Sequence, residues 1–282
     1  MYRVYLKYVF FINYFVNSLK KKMKTIFTVL FCSVVLLSCK KTEAPKPEPL
    51  PPPINIVDTT GSLNIDITNV VNNNPLVLSS VSYTNANSDT FKIDVLKYYI
   101  SNIQLTTNTG FTYTQNESYY LIDHSDLKSL RLVLKKIPRA NYSSIKFLIG
   151  VDSARNNSGA QTGALDVANL MYWDWNSGYI MVKLEGTSNQ STHVAKKIEF
   201  HLGGFYGPYS SVRKVQLSFP NTANVTTIQT PTVNAKAEIA QWFSSPNLIR
   251  FSQTSLIMSS NADSKKIADN YASMFSITSV IN

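Results

Sequence analysis

From Gly61 onward the chain alternates apolar and polar residues in short runs broken by turn residues, and this period of two restricts the fold more than any other feature. In Ser62-Leu63-Asn64-Ile65-Asp66-Ile67 every second side chain is apolar. Successive side chains of a strand point to opposite faces, so such a run buries one face and wets the other. Residues 91–105 form a long β-like segment, and shorter ones follow at 143–151, 179–185, 195–202 and 214–219. Strands at this spacing predict an all-β domain, an antiparallel β-sandwich of the Ig-like or Greek-key kind. Helical signals are few. Asn234 stands as a cap before a run with Ile239, Trp242 and Phe243 on one face, which predicts a helix over 234–243. Ile267, Tyr271, Met274 and Phe275 recur at helical spacing within 262–275, and 125–130 suits a single helical turn. These would be short helices at the periphery. The sequence contains no internal repeat.

The N-terminal region reads differently. Lys20, Lys21, Lys22 and Lys24 precede an apolar stretch over 26–37, which ends at Ser38 and Cys39. A positive segment, an apolar segment and a small residue make a secretory signal. The cysteine after Leu36-Leu37-Ser38 resembles the lipobox of bacterial lipoproteins, whose thiol is lipidated and becomes the new N-terminus. Several acyl chains on one residue suffice for stable anchoring. The competing reading is a plain secretory peptide, or a short membrane anchor, with an incidental cysteine. A second apolar stretch over 4–19 is short for a span and is interrupted by Lys7 and Asn13. Met23 opens a compact signal by itself, which makes it the expected start. Residues 1–38 are thus the signal region. Residues 39–60 are the lipidated Cys39 and a linker, with Pro45, Pro47, Pro49, Pro51, Pro52 and Pro53 forming an extended stalk. Residues 61–282 are the β-sandwich domain. The expected location is the cell envelope, attached by lipid to the outer membrane.

Charge and cysteine count exclude whole classes. The formal charge is +10, but six basic residues and no acidic one precede Cys39; removing these six from 27 leaves 21 basic against 17 acidic residues. That is no nucleic-acid footprint. The two cysteines are Cys32, inside the signal, and Cys39, so the domain has no disulfide, cysteine nucleophile or thiolate ligand. A histidine metal site must draw on His124, His193 and His201. Asp123, Asp126, Asp152 and Asp166 lie near loops and offer oxygen donors for Ca²⁺, without the spacing of an EF-hand. Gly203-Gly204-Phe205-Tyr206-Gly207 lacks the Lys-Ser/Thr of a phosphate loop, and no nucleophile elbow is visible. The expectation is a protein that is not an enzyme.

Strand parity sorts the histidines. In 195–202, Ile198, Phe200 and Leu202 share one face, while Lys197, Glu199 and His201 share the other with His193. Eight residues of extended chain separate His193 from His201 by about 26 Å, so the pair cannot hold one ion unless the chain folds back between them. His124, in Leu121-Ile122-Asp123-His124-Ser125-Asp126, is the more plausible partner for His201. The plainer reading of each histidine is a surface or hydrogen-bonded residue. Trp173 and Trp175 point to one face of a strand, either as packing or as a ligand-stacking pair.

Three segments carry a family resemblance. Lys97-Tyr98-Tyr99-Ile100-Ser101-Asn102-Ile103-Gln104-Leu105, Trp173-Asp174-Trp175-Asn176-Ser177-Gly178-Tyr179 and Phe200-His201-Leu202-Gly203-Gly204 resemble the MbnP-like family, periplasmic copper-binding proteins associated with methanobactin uptake and their relatives. The chain looks most like the Bacteroidetes lipoprotein branch. The resemblance implies copper bound through histidines beside a tryptophan that can be oxidised to kynurenine. His201 matches the family histidine, and Trp173 or Trp175 the tryptophan. Arg155, Asn156 and Asn157 stand where a second histidine follows an asparagine in the methanobactin branch, and Gly204 or Phe205 stands near the place of that branch's cysteine. The reading is a non-enzymatic, envelope-anchored lipoprotein that binds copper through His201 and His124 beside Trp173 and Trp175. The alternative is a surface lipoprotein that binds a glycan, a peptide or a partner protein on an aromatic platform, without metal.

Overall fold

Strand parity in the computed structural model follows the sequence pattern closely. It describes residues 59–282 except 160 and 175–177. The signal region, Cys39, the proline-rich linker as far as residue 58, and Trp175 lie outside the described residues. In β1 (Thr60–Val71) the side chains of Leu63, Ile65 and Ile67 are buried and those between them are not. The same alternation runs through β4 (Thr90–Thr107), β8 (Ala140–Ile149), β10 (Gly178–Ser188), β11 (Lys197–Gly203) and β13 (Thr232–Glu238). The remaining strands are β2 (Asn74–Pro75), β3 (Tyr83–Thr84), β5 (Thr112–Thr114), β6 (Tyr119–Asp123), β7 (Arg131–Pro138), β9 (Tyr172–Asp174), β12 (Arg213–Val225), β14 (Leu256–Ile257) and β15 (Phe275–Ile281).

They form two sheets. One runs β15-β13-β1-β2, with β7 also on β1; the other runs β12-β8-β4-β10-β11-β14, with β3, β5 and β6 on β4 and β9 on β10. The sheets pack face to face. Phe275 of the first sheet meets Tyr98 and Phe147 of the second edge-on, at ring separations of 5.9 and 5.2 Å. The domain is a β-sandwich of mainly antiparallel strands. Two pairings depart from the antiparallel expectation: β1 with β13 and β11 with β14 are parallel. Such pairs need a long connection between the strands, which a chain that crosses to the other sheet and returns supplies.

The expected helix over 234–243 is half strand. Val233, Ala235 and Ala237 turn inward between β1 and β15, and pairing on both edges overrides the helix preference of Ala, Lys and Glu. Only Ile239–Phe243 turns helically, as a 3-10 segment capped by Glu238 rather than Asn234. The second expected helix is α2 (Ala262–Tyr271), capped by Asn261 with Ser264 closing the capping box; it ends before Phe275, which opens β15. The turn expected at 125–130 is a 3-10 segment over Leu127–Leu130 capped by Asp126. The strand expected at 195–202 starts two residues later, because Ala195 and Lys196 adopt left-handed backbone angles in the preceding turn.

One polar chain crosses between the sheets. Asn69, buried on β1, accepts a hydrogen bond from the Tyr98 hydroxyl at 2.7 Å and donates to His124 Nδ1 at 3.0 Å. His124 Nε2–H then donates to the Leu76 carbonyl at 3.0 Å. Burial pushes the Tyr98 hydroxyl well above its ordinary pKa, so it stays a donor. Replacing Asn69 by Ala leaves the buried Tyr98 hydroxyl and the half-buried His124 Nδ1 without this partner and should cost about 1–3 kcal/mol. Urea unfolding of Asn69→Ala checks this; a loss under about 0.5 kcal/mol would mean the chain contributes little.

Candidate functional site

The β10–β11 hairpin builds the site. Its register sets Lys183 opposite His201 and Glu185 opposite Glu199, and β4 continues the first row with Lys97 beside Lys183. Asp123 of β6 lies opposite Lys97 and pairs with it at 2.8 Å. Asp123, Lys97, Lys183 and His201 therefore lie side by side across four strands. This is the outer face of the sheet, since Val182, Leu184, Phe200 and Leu202 fill the inner one.

His201 is held by Glu185, whose Oε1 lies 2.7 Å from Nε2. Lys183 Nζ reaches the same carboxylate oxygen at 3.1 Å. The His201 side chain is only 12% exposed. Burial lowers its pKa, and the nearby Lys183 charge acts in the same direction; the Glu185 hydrogen bond opposes them without reversing the shift. Burial alone would raise the Glu185 carboxyl, but hydrogen bonds from Lys183 and His201 outweigh it and hold the group below its usual range. At neutral pH the pair is thus a neutral imidazole and a carboxylate. Nε2 carries the proton given to Glu185, and Nδ1 carries the lone pair.

Trp173 covers the strand next to this histidine. β9 pairs with β10 through Tyr172 opposite Tyr179 and Asp174 opposite Gly178, which carries the Trp173 indole over β11. A Cβ on Gly203 would sit 2.2 Å from the indole, so no side chain fits there. Gly203 is two residues from His201 and shares its face. The structure thus brings Trp173 and His201 to neighbouring positions of one strand face.

It does not bring His124 to them. His124 follows Asp123, which faces outward to Lys97, and so turns inward to Asn69, with both ring nitrogens occupied by protein partners. The two histidines lie on opposite faces of the sheet, and the expectation that His124 completes a site with His201 is not met. His193 sits in the loop before β11, at the other end of the strand from Gly203. The four loop aspartates have separate local roles: Asp123 pairs with Lys97, Asp126 and Asp166 cap 3-10 turns, and Asp152 caps α1 (Ser153–Asn156). Among the described residues no group of three or more His, Cys, Asp or Glu side chains is arranged to hold a metal ion.

The polar loop after Gly150 positions the tryptophan hairpin. Asp152 accepts from the Tyr119 hydroxyl at 2.6 Å and from Asn102 Nδ2 at 2.9 Å. Arg155 stacks over the Tyr119 ring, 5.4 Å from its centroid, and pairs with Glu117. Asn156, 4% exposed, donates to the Val151 and Asp152 carbonyls at 2.8 and 2.9 Å and accepts from the Tyr179 backbone N–H at 2.9 Å. One carboxamide thereby ties the loop to the start of β10. Sequence reasoning missed Glu185 and Asn156. Glu185 shares a face with Lys183 by parity, a signal available in the sequence, but its place beside His201 depends on the hairpin register. Asn156 carries no local signal.

Beyond Gly203 the chain turns into a groove of about 620 Å³, lined chiefly by Trp173, Phe205, Tyr206, Tyr209 and Met258.

A family model described as MbnP matches residues 60–261. Among solved structures, MbnP from Methylosinus trichosporium is similar, with 12% sequence identity, a TM-score of 0.47, and coverage of 72% of this chain and 82% of that one. A search of the curated proteins finds no match.

The Gly203 contact is directly testable. Gly203→Ala should push the indole off the strand, costing about 1–3 kcal/mol and raising acrylamide quenching of tryptophan fluorescence. Unchanged quenching and stability would mean that Trp173 does not rest on Gly203.

Proposed function

The chain belongs to the MbnP family, and on that premise we propose that it is a lipid-anchored, non-enzymatic protein of the bacterial cell envelope that binds copper through His201 beside Trp173. The observation that carries this reading is the His201–Glu185 pair on the strand face that Trp173 covers. A metal-binding histidine characteristically donates its second ring N–H to a carboxylate, which fixes the tautomer and strengthens the donor nitrogen. His201 has that partner and is kept neutral by burial, so Nδ1 is the nitrogen available to a metal. Imidazole nitrogen suits copper well.

The donor set fits an open, single-imidazole site. It does not fit a closed multi-histidine one, because His124 is committed to the sheet interior. His201 would supply the protein's nitrogen, with Glu185 orienting the ring. Copper so held would bring a redox-active centre next to an indole. The affinity of such a site is lower than that of a site with two or more imidazoles.

Membrane attachment rests on Leu36-Leu37-Ser38-Cys39. Cys39→Ala should release the protein from the membrane fraction or leave the precursor uncleaved. Normal processing and unchanged membrane association would remove the lipoprotein reading. For the metal, His201→Ala should lower copper retention by about tenfold or more without changing the urea midpoint greatly, and Glu185→Gln should weaken it less. Copper analysis after dialysis of the tag-free protein reads both; equal retention in wild type and His201→Ala would sink the copper assignment.

A second reading, a lipoprotein that takes a glycan, peptide or partner protein without metal, is favoured by the aromatic groove beside Trp173.

A further inference from the structure

Several turns meet at the end of the sandwich where β1 begins. The Arg139 N–H donates to the Thr59 carbonyl at 3.1 Å, which sets the β7–β8 turn beside the first described residue. Register places the other members: Val225 of β12 lies opposite Ala140, Thr107 of β4 opposite Tyr142, and Ile281 of β15 opposite Thr232. The β12–β13 loop packs on the start of β1, since a Cβ on Gly61 would lie 2.2 Å from the Thr226 carbonyl oxygen. The Tyr113 hydroxyl donates to the Lys136 carbonyl at 3.4 Å, and Asn282 Nδ2 to the Thr222 carbonyl at 3.0 Å. One braced pole of the domain thus gathers 59–62, 107–113, 135–142, 220–231 and 279–282.

The charge of this pole is one-sided. Its segments carry Lys135, Lys136 and Arg139 but no aspartate or glutamate; every acidic residue of 59–282 lies elsewhere in the domain. The three basic residues are exposed, and the ion pairs among the described residues include none of them. Even with a carboxylate at Asn282, cations prevail. Apolar side chains share the pole: Ile228 is 96% exposed, Ile281 61% and Phe111 52%. Ile228 stands on the β12–β13 loop and Phe111 in the β4–β5 turn, both beyond the strand ends. Binding to a lipid surface draws on these two features together, buried apolar area and attraction of cations to anionic headgroups.

The chain that continues from this pole narrows the occupant. Residues 40–58 join Thr59 to Cys39, and a chain of that length reaches at most about 70 Å. On the reading that Cys39 is lipidated, the tether enters the domain at the basic pole and keeps it within that distance of the bilayer. A tethered surface meets its site at high effective concentration, so a weak contact suffices. A small anionic ligand would engage the three cations and leave Ile228 and Phe111 in water, whereas a bilayer engages both. We propose that this pole rests on an anionic phospholipid bilayer, with Lys135, Lys136 and Arg139 at the phosphates and Phe111 and Ile228 entering the headgroup region. The inference rests on the lipid-anchor reading for the tether; the cations and apolar side chains belong to the domain itself.

The test is co-sedimentation of the domain with lipid vesicles. Val57–Asn282 is a compact unit that contains every buried core residue and lacks Cys39, so the outcome does not depend on lipidation. Vesicles of phosphatidylglycerol and phosphatidylcholine in about equal parts should bind half the protein at about 1 mM lipid or below. Phosphatidylcholine alone should bind it at least about tenfold less tightly. Lys135→Glu should weaken binding to the anionic vesicles about tenfold, and Ile228→Ser about threefold, with urea midpoints unchanged. Lys214→Glu makes the same charge change at an exposed position near the far end of β12 and should have less than about a twofold effect. The proposal is overturned by absence of binding to the anionic vesicles, by equal binding to phosphatidylcholine, or by no loss in either pole variant. An equal loss in Lys214→Glu overturns it too, since net charge alone would then explain the binding. Release of the full chain by Cys39→Ala reports on the anchor and leaves the vesicle result untouched.

Discussion

The candidate site depends on one close approach, the Trp173 indole against the backbone of Gly203. Any side chain at Gly203 would occupy the space of the ring. That contact joins β9 to β11 across the width of β10, covers the strand next to His201, and forms one wall of the aromatic groove. The Asn156 carboxamide supports it from the loop side by holding the start of β10, where the tryptophan hairpin closes. The polar loop thus works as a brace, with Asp152, Tyr119 and Arg155 fixing its outer part.

Electrostatics give the same face its second property. Along β10 and β11 the outer positions alternate in charge, while across the strands Lys97 lies beside Lys183 and Glu185 opposite Glu199; Asp123, Glu185 and Glu199 each still have a basic partner. Most of these side chains are half-buried rather than exposed; only Lys197 is mainly in solvent. Their consequence here is to fix the protonation of His201. The surrounding sheet keeps it neutral, while Glu185 takes its Nε2 proton in a hydrogen bond. A lone pair on Nδ1 follows from that arrangement. The same arithmetic removes His124, whose two nitrogens are both engaged inside the sandwich.

Much of this was legible in the sequence because it is local. Period-two alternation identifies the long strands, and parity within 195–202 correctly places His201 opposite Phe200 and Leu202. Parity also reads His124 onto the face of Ile122, which is buried, so its inward orientation was within reach. What local pattern cannot supply is pairing. The residues at 234–238 favour a helix by composition, yet they form the strand between β1 and β15 because both edges offer backbone partners. Glu185 meets His201 only once the hairpin register is set, and Asn69 meets His124 only once the two sheets are stacked. The groove likewise joins Phe205 to Met258, segments that no periodicity connects.

The central claim is that one imidazole, His201, anchors copper beside Trp173. Pulsed electron paramagnetic resonance of the copper(II)-loaded protein, which detects the remote nitrogen of each coordinated imidazole, tests this most directly. The account predicts the modulation of a single imidazole, absent in His201→Ala. A spectrum with two coordinated imidazoles, or one unaffected by loss of His201, would contradict it.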